Sequence, residues 1–254
     1  MVGRHALTRG VGRSLGECEL TFVERSRIHL PTAVEQHRAY CDALRAAGLS
    51  IEVLPPDPHL ADSVFVEDTA VILEEVAIIA RPASEVRRRE VAAVARALEA
   101  HLPLARLKAP ATLEGGDVLR LGRRLFVGLS TRTNRDGCSQ LARLAAPHGY
   151  RVEPIAVHGC LHLKTAVTAL DEETLLLNAS WLETEALAGF DLVLVDESEP
   201  FAANTLSLGG VIHVSERWRR TRGLLEERGY VTRTLGISEF EKAEAGLTCL
   251  SLIL

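Results

Sequence analysis

The chain predicts an α/β fold with pseudo-fivefold organisation: one order of elements, two short strands, a helix and a further strand, recurs five times along it. A second observation is the spacing of reactive side chains. Glu67 with Asp68, then Glu114, then His162 stand 47 and 48 residues apart, and Cys249 follows after 87, close to two such steps. Intervals of this size mark repeated supersecondary units, so each module is expected to give one chemical group to a shared cleft. Third, no low-complexity linker interrupts the 254 residues, which are expected to form a single domain, residues 1–254.

The first module is the least regular. A strand near Arg4 to Thr8 precedes a polar stretch, Gly10 to Leu30, which is either a lid or a surface loop. A helix around Ala33 to Ala47 and a strand Ser50 to Leu54 follow. In the second module Ser63 to Ala80 reads as two strand-like runs around Glu74 and Glu75, Ser84 to His101 as an arginine-faced helix, and Leu102 to Leu107 as a strand. The third repeats that order: Gly116 to Leu121 and Arg124 to Leu129 flank a Gly122-Arg123 turn, Arg135 to His148 has helical spacing ended or kinked by Pro147, and Tyr150 to Ile155 returns as a strand. The fourth gives strands Leu161 to Leu170 and Thr174 to Asn178, a short helix around Leu182 to Ala188, and strand Asp191 to Val195. The fifth gives Thr205 to Leu208, Val211 to Val214, helix Glu216 to Arg228 and strand Tyr230 to Leu235. Gly246 to Leu254 reads as a final buried strand.

A hydrophobic content of 47% supports a substantial core, and a formal charge of −5 provides no broad basic field for nucleic acid or an anionic membrane. The expected partner is a small molecule, with a homodimer kept as an option for assembly. Met1 to Leu15 lacks the apolar run of a signal peptide, and Glu74 and Glu75 break the longest apolar stretch, so the chain reads as cytoplasmic. Five cysteines without framework spacing suit reduced thiols.

A cysteine in an apolar strand is more often inert core than nucleophile, and Cys249 stands out only through its potential neighbours. A thiol of ordinary pKa needs a base or a cation close by, and His162 is the candidate. Strand alternation would put His162 and Lys164 on one face, opposite Leu161 and Leu163. Glu114 could orient His162, and the glycines that follow it would allow close backbone approach. Taken singly, His162 also fits a structural histidine and Glu114 a loop carboxylate. His158, Cys160 and His162 at alternate positions raise a metal set, but no fourth local ligand is evident and Cys160 fits packing better. Glu67 and Asp68 follow an apolar run; for both to face one cleft, a bend or bulge after Val66 is required. Arg87 to Arg89 and Arg132 offer guanidinium forks for a substrate carboxylate, although Arg87 to Arg89 also fit an exposed helix surface. Acids plus arginines imply a zwitterionic ligand.

These residues resemble the dimethylarginine dimethylaminohydrolase family of the guanidino-modifying pentein superfamily. The resemblance runs nearly end to end, through Glu35-Gln36-His37, Leu54-Pro55-Pro56-Asp57, Asp62-Ser63-Val64-Phe65-Val66-Glu67-Asp68, Glu114 with Gly116-Asp117, Arg132-Thr133-Asn134, Leu161-His162-Leu163-Lys164-Thr165, Ala202-Ala203-Asn204 and Thr248-Cys249-Leu250-Ser251. It implies a five-bladed α/β propeller of ββαβ modules and hydrolysis of asymmetric dimethylarginine and monomethylarginine to citrulline and the methylated amine. By the same resemblance Cys249 is the nucleophile, His162 the general acid and base, and Glu114 their positioning partner. Glu67 and Asp68 would bind the guanidinium, Asp62 and Phe65 line the cavity, Arg87 and Arg132 hold the α-carboxylate, and the Leu20 backbone lie in a lid. That chemistry requires no metal or organic cofactor.

Two segments depart from the family pattern. Glu244-Ala245-Gly246 precedes Cys249 where an Asp-Gly type turn is expected, with Ala at a position favouring positive φ, and Gly16-Glu17-Cys18-Glu19 matches the lid poorly. The nearest rival is an arginine deiminase, which usually carries an acid where Lys164 stands. A dimethylated nitrogen offers no N–H to such an acid. A noncatalytic binding protein of the same fold would not need Cys249, His162 and Glu114 together.

Overall fold

A computed structural model describes residues 5–254. Its described residues contain five three-stranded sheets, and each follows one rule: the first two strands pair antiparallel and the third returns parallel to the second. In the second module these are β3 (Ala70–Ile72), β4 (Ala77–Ile79) and β5 (Leu104–Arg106), and in the third β6 (Val118–Leu121), β7 (Arg124–Leu129) and β8 (Arg151–Ala156). The fourth holds β9 (Val167–Ala169), β10 (Thr174–Leu177) and β11 (Asp191–Leu194), and the fifth β12 (Leu206–Leu208), β13 (Val211–Ser215) and β14 (Val231–Leu235). The irregularity of the first module is resolved by the far end of the chain. β1 (His5–Arg9) pairs parallel with β2 (Ser50–Leu54) and antiparallel with β15 (Leu252–Ile253), so the last strand completes the first sheet.

Packing closes the ring. Apolar strands this short cannot bury themselves alone, and each cluster of core residues is built by two neighbouring modules. Leu7 and Leu252 pack with Ile79 and Val94, Val71 with Leu125, Phe126 with Leu175, and Leu176 with Ile212. Tyr40 and Phe240 then join the first module to the fifth. This is the five-bladed α/β propeller of ββαβ modules.

Helices behave as their ends dictate. α1 (Leu30–Ala46) starts three residues earlier than expected because Pro31 fits its first turn. α3 (Arg135–Ala145) is capped by the Asn134 side chain, which accepts from Gly137 N–H at 2.7 Å, and it tightens into a 3-10 turn at Pro147. The expected helix 84–101 is divided into a 3-10 turn, Arg87–Arg89, and α2 (Val91–Leu98). The helix expected at 182–188 is only a 3-10 turn, Glu185–Leu187. α5 (Arg219–Glu227) serves the fifth module. Arg4, expected in the first strand, lies outside the described residues.

Three corrections matter for function. Val66–Thr69, Leu163–Ala166 (α4) and Thr248–Leu250 are single helical turns where the sequence reads as continuous strand. Among the described residues no helix is long and apolar enough to cross a membrane.

Candidate active site

Each module presents a short turn immediately before its first strand, and these turns hold the reactive groups. Glu67 and Asp68 ride the turn before β3, Glu114 caps the Gly115–Asp117 turn before β6, His162 caps α4 before β9, and Cys249 lies in the turn before β15. The turn of Glu67 touches those of Glu114 and Cys249, and α4 touches that of Glu114. Asn204, ahead of β12, fills the fifth position and divides the 87-residue interval near its middle. It carries no nucleophile, but its side chain accepts from Thr248 N–H at 3.1 Å and donates to Thr248 Oγ1 at 3.0 Å and Lys164 O at 2.9 Å.

The bend required after Val66 is the 3-10 turn itself. It aims Glu67 and Asp68 in different directions, each into its own cation. Glu67 accepts from Lys164 Nζ on one oxygen and from Thr248 Oγ1 at 2.8 Å on the other. Burial raises its carboxyl above the ordinary value, with Lys164 opposing. Asp68 accepts from Arg87 at 2.8 Å and from Gly116 N–H at 3.0 Å. Burial would raise it too, but His162, Arg87 and the Gly116 N–H outweigh that and hold it at about 2.

His162 Nε2 lies 2.8 Å from Glu114 Oε2 and 3.9 Å from Asp68 Oδ1. Burial disfavours its charge, yet Asp68, the Glu114 hydrogen bond and Asp117 together lift it to about 9, so the imidazolium is its resting form at neutral pH. Close packing explains the two glycines after Glu114. A Cβ on Gly115 would meet Glu67 O at 2.0 Å, and one on Gly116 would meet Asp68 Oδ1 and His162 Nδ1, both at 2.7 Å. Asp68, Glu114 and His162 offer ligand atoms within 4.8 Å of one another, but Arg87, 3.5 Å from Glu114, is already the cation of this cluster.

Cys249 Sγ accepts from Gly246 N–H at 3.4 Å. Burial, then the charges of Glu67 and Asp68, push its thiol far above the usual range, against weaker pulls from that N–H and Lys164. The free site therefore holds Cys249 as a thiol and His162 as an imidazolium, both interacting with Asp68. The positive φ expected near Ala245 belongs instead to Glu244, at 62°, and Glu244 has a partner set of its own: its carboxylate accepts from Thr21 N–H at 2.8 Å and Phe22 N–H at 2.9 Å.

Leu20 is thus held from both sides. Before it, Glu19 N–H donates to Asp62 at 3.2 Å, while the Glu19 carboxylate accepts from Arg132 at 2.8 Å and from Ser84 Oγ at 2.5 Å. Leu20 and Cys249 both pack on the cluster that contains Phe65, whose ring meets Phe240 edge-on at 6.4 Å between centroids. Burial raises Asp62, with Arg87 opposing.

The sequence model of the family described as "N,N dimethylarginine dimethylhydrolase, eukaryotic" matches residues 19–179. A Pseudomonas aeruginosa N(G),N(G)-dimethylarginine dimethylaminohydrolase is 32% identical over 98% of each chain. The chain belongs to the dimethylarginine dimethylaminohydrolase family. A Streptomyces coelicolor dimethylarginine dimethylaminohydrolase is 37% identical over 99% of this chain and 97% of its own. The solved structure of a cysteine-to-serine variant of the P. aeruginosa dimethylarginine dimethylaminohydrolase, in complex with citrulline, superposes with a TM-score of 0.95 at 31% identity and full coverage of both chains.

The structure brings Cys249, His162, Glu114, Glu67 and Asp68 together, with Leu20, Asp62, Phe65 and Arg132 on adjoining segments. Arg87 is neither an exposed helix residue nor free: its guanidinium is buried, bonded to Asp68 and to Glu90 at 3.2–3.3 Å. The alternate-position metal set is overturned. Gly159, at φ 70°, breaks the strand it needs, and Cys160 donates to His162 O at 3.4 Å. The face argument for His162 and Lys164 also fails, since Lys164 lies in the helical turn that the extended His162 caps. Sequence reasoning missed Glu19, Glu90 and Asp117. Asp117 accepts from Leu163 N–H at 2.9 Å and Ser130 Oγ at 2.6 Å, fixing the turn that His162 caps. Its place in the Glu-Gly-Gly-Asp run was the available signal; Glu19 and Glu90 had none.

Proposed function

We propose that this chain hydrolyses Nω-methylated arginines, asymmetric dimethylarginine and monomethylarginine, to citrulline and dimethylamine or methylamine. The observation that carries the reading is the convergence of Cys249 on two buried acids and a His162–Glu114 pair. Residues 1–254 act as one catalytic unit in it, because the reactive groups come from different modules.

A guanidinium carbon is a poor electrophile, so orientation and a strong nucleophile must act together. Glu67 and Asp68 hold the guanidinium. Its positive charge offsets the two carboxylates that keep Cys249 protonated, so the thiol gives its proton to solvent and the thiolate forms once substrate is bound. Sulfur adds to the guanidinium carbon, and the C=N electron pair moves to nitrogen. His162, charged at neutral pH, donates its proton to the methylated nitrogen. The C–N bond breaks, the amine leaves, and an S-alkylthiouronium remains on Cys249. Neutral His162 then takes a proton from water, whose oxygen adds to the same carbon. Collapse breaks the C–S bond as the added hydroxyl passes its proton to the departing sulfur, which returns the resting thiol and releases citrulline. Glu114 keeps His162 oriented through both transfers.

At the other end of the ligand, Arg132 takes the α-carboxylate in place of Glu19, with the Leu20 backbone closing over it. Asp62 and Phe65 line the cavity, and Arg87 supplies positive charge behind Asp68. Lys164 and Thr248 each take one acceptor site on Glu67, and Lys164 stands where a second carboxylate would bind the N–H groups of unmodified arginine, which supports a methylated substrate. Reduced thiols support a cytoplasmic setting, since all five cysteines are free. In this reading the partner is a small molecule, not nucleic acid or membrane, and a homodimer stays an option for assembly that the sedimentation mass decides.

Parallel incubation with asymmetric dimethylarginine and arginine tests the assignment. Citrulline with dimethylamine, abolished by Cys249→Ser, is expected; ammonia from arginine as the main product would indicate a deiminase, and no product from either would sink the hydrolase reading.

A further inference from the structure

We propose that His5, Glu52 and His101 form a divalent metal site, of the borderline class that includes Zn²⁺, which ties the first module to the second. It shares no residue with the catalytic centre and is independent of the proposed activity.

β1 and β2 build two of its corners. His5 pairs with Ser50 and Leu7 with Glu52 in parallel register, so His5 and Glu52 lie diagonally on one sheet face. The third corner arrives from the second module, where the turn after α2 brings His101 over His5 with ring centroids 4.3 Å apart. Both Nε2 atoms reach one oxygen: Glu52 Oε2 is 3.8 Å from His5 and 3.6 Å from His101, and the three ligand atoms all fall within 4.8 Å of one another. Metal–ligand bonds of about 2.0–2.1 Å in a tetrahedron put neighbouring ligand atoms about 3.3 Å apart, so small side-chain rotations complete the set.

Chemistry argues the same way. His5 Nδ1 hydrogen-bonds to Ser50 Oγ at 2.9 Å, the outer partner that orients a ligating imidazole. Its Nε2 is enclosed and has no hydrogen-bond partner among the described residues, although it faces a carboxylate. With Nδ1–H donating to Ser50, the tautomer that ligation requires, the Nε2 lone pair faces the carboxylate, and a cation between them would relieve the repulsion. Two imidazoles and a carboxylate suit Zn²⁺, and the half-exposed Glu52 side leaves the fourth position to water. The role is structural: such an ion would cross-link neighbouring blades close to where the last strand completes the first sheet.

The test is isothermal titration of Zn²⁺ into tag-free, chelator-treated Cys249→Ser protein, in which the catalytic thiol cannot compete. One ion per chain is expected, with affinity lowered at least about tenfold by either His101→Ala or Glu52→Gln on that background. Zn²⁺ should also raise the melting temperature of the Cys249→Ser protein and not that of its His101→Ala derivative, while His101→Ala with Cys249 intact turns over normally. Equal binding in all three proteins would place the ion elsewhere, the Asp68–Glu114–His162 cluster included, and overturn the proposal, as would no binding at all.

Discussion

The two ends of the site are built differently. At the deep end Asp68, Arg87, Glu90, Glu114 and His162 are buried and bonded to one another, so their orientation is fixed before any ligand arrives. At the mouth Arg132 is paired with Glu19, a half-exposed residue, and Glu244 holds Thr21 and Phe22 of the same segment. Preorganised charge is worth most where water is excluded, which is where bonds break. The mouth instead exchanges one carboxylate for another. In the proposed mechanism, rate is therefore set at the deep end and occupancy at the mouth.

The sharpest way to break that contrast is at the deep end. Glu114→Gln removes the carboxylate bonded to His162 and should lower kcat about 10²- to 10⁴-fold with a smaller change in KM; a KM effect alone would put Glu114 in binding. At the mouth, Arg132→Ala should raise KM about 10- to 100-fold, the loss of one charged hydrogen-bonding partner, and leave kcat within a few-fold. Third, the falling limb of the pH profile reports the acid. His162 at about 9 is charged below that pH and loses its proton as pH rises through it, so kcat/KM should fall above about pH 9. Asp117→Asn deletes one raising charge, and the limb should move to lower pH; an unmoved limb would assign it to another group. The smallest effect belongs to Glu19→Gln. Substrate would no longer compete with a side-chain carboxylate for Arg132, and KM should drop a few-fold, whereas a rise would mean that Glu19 contributes to binding.

Legibility in the sequence follows the same division. The hairpin of β6 and β7 is plain because Gly122, at φ 54°, marks the turn between two alternating runs, and the modules follow from their repeated order. The turns that carry the chemistry were not. Apolar residues dominate Val64–Val66 and Leu247–Leu254 and alternate with polar ones in Leu161–Lys164, and a single helical turn inside such a run has too few residues to show a period. The acids and the histidine were still found, since they are costly to bury without partners. Arg87 was ambiguous for the opposite reason: three consecutive arginines look solvated, and only the fold selects which one enters. Glu19 was invisible because one acid in a polar segment carries no pattern until Arg132, 113 residues away, is brought against it.

Covalent chemistry at Cys249 is the central claim, and acid quenching during turnover of asymmetric dimethylarginine, followed by peptide mass analysis, tests it most directly. A thiouronium adduct confined to the peptide containing Cys249 is the predicted result. Citrulline formed with no adduct there, or with the adduct on Cys18 or Cys160, would contradict the account.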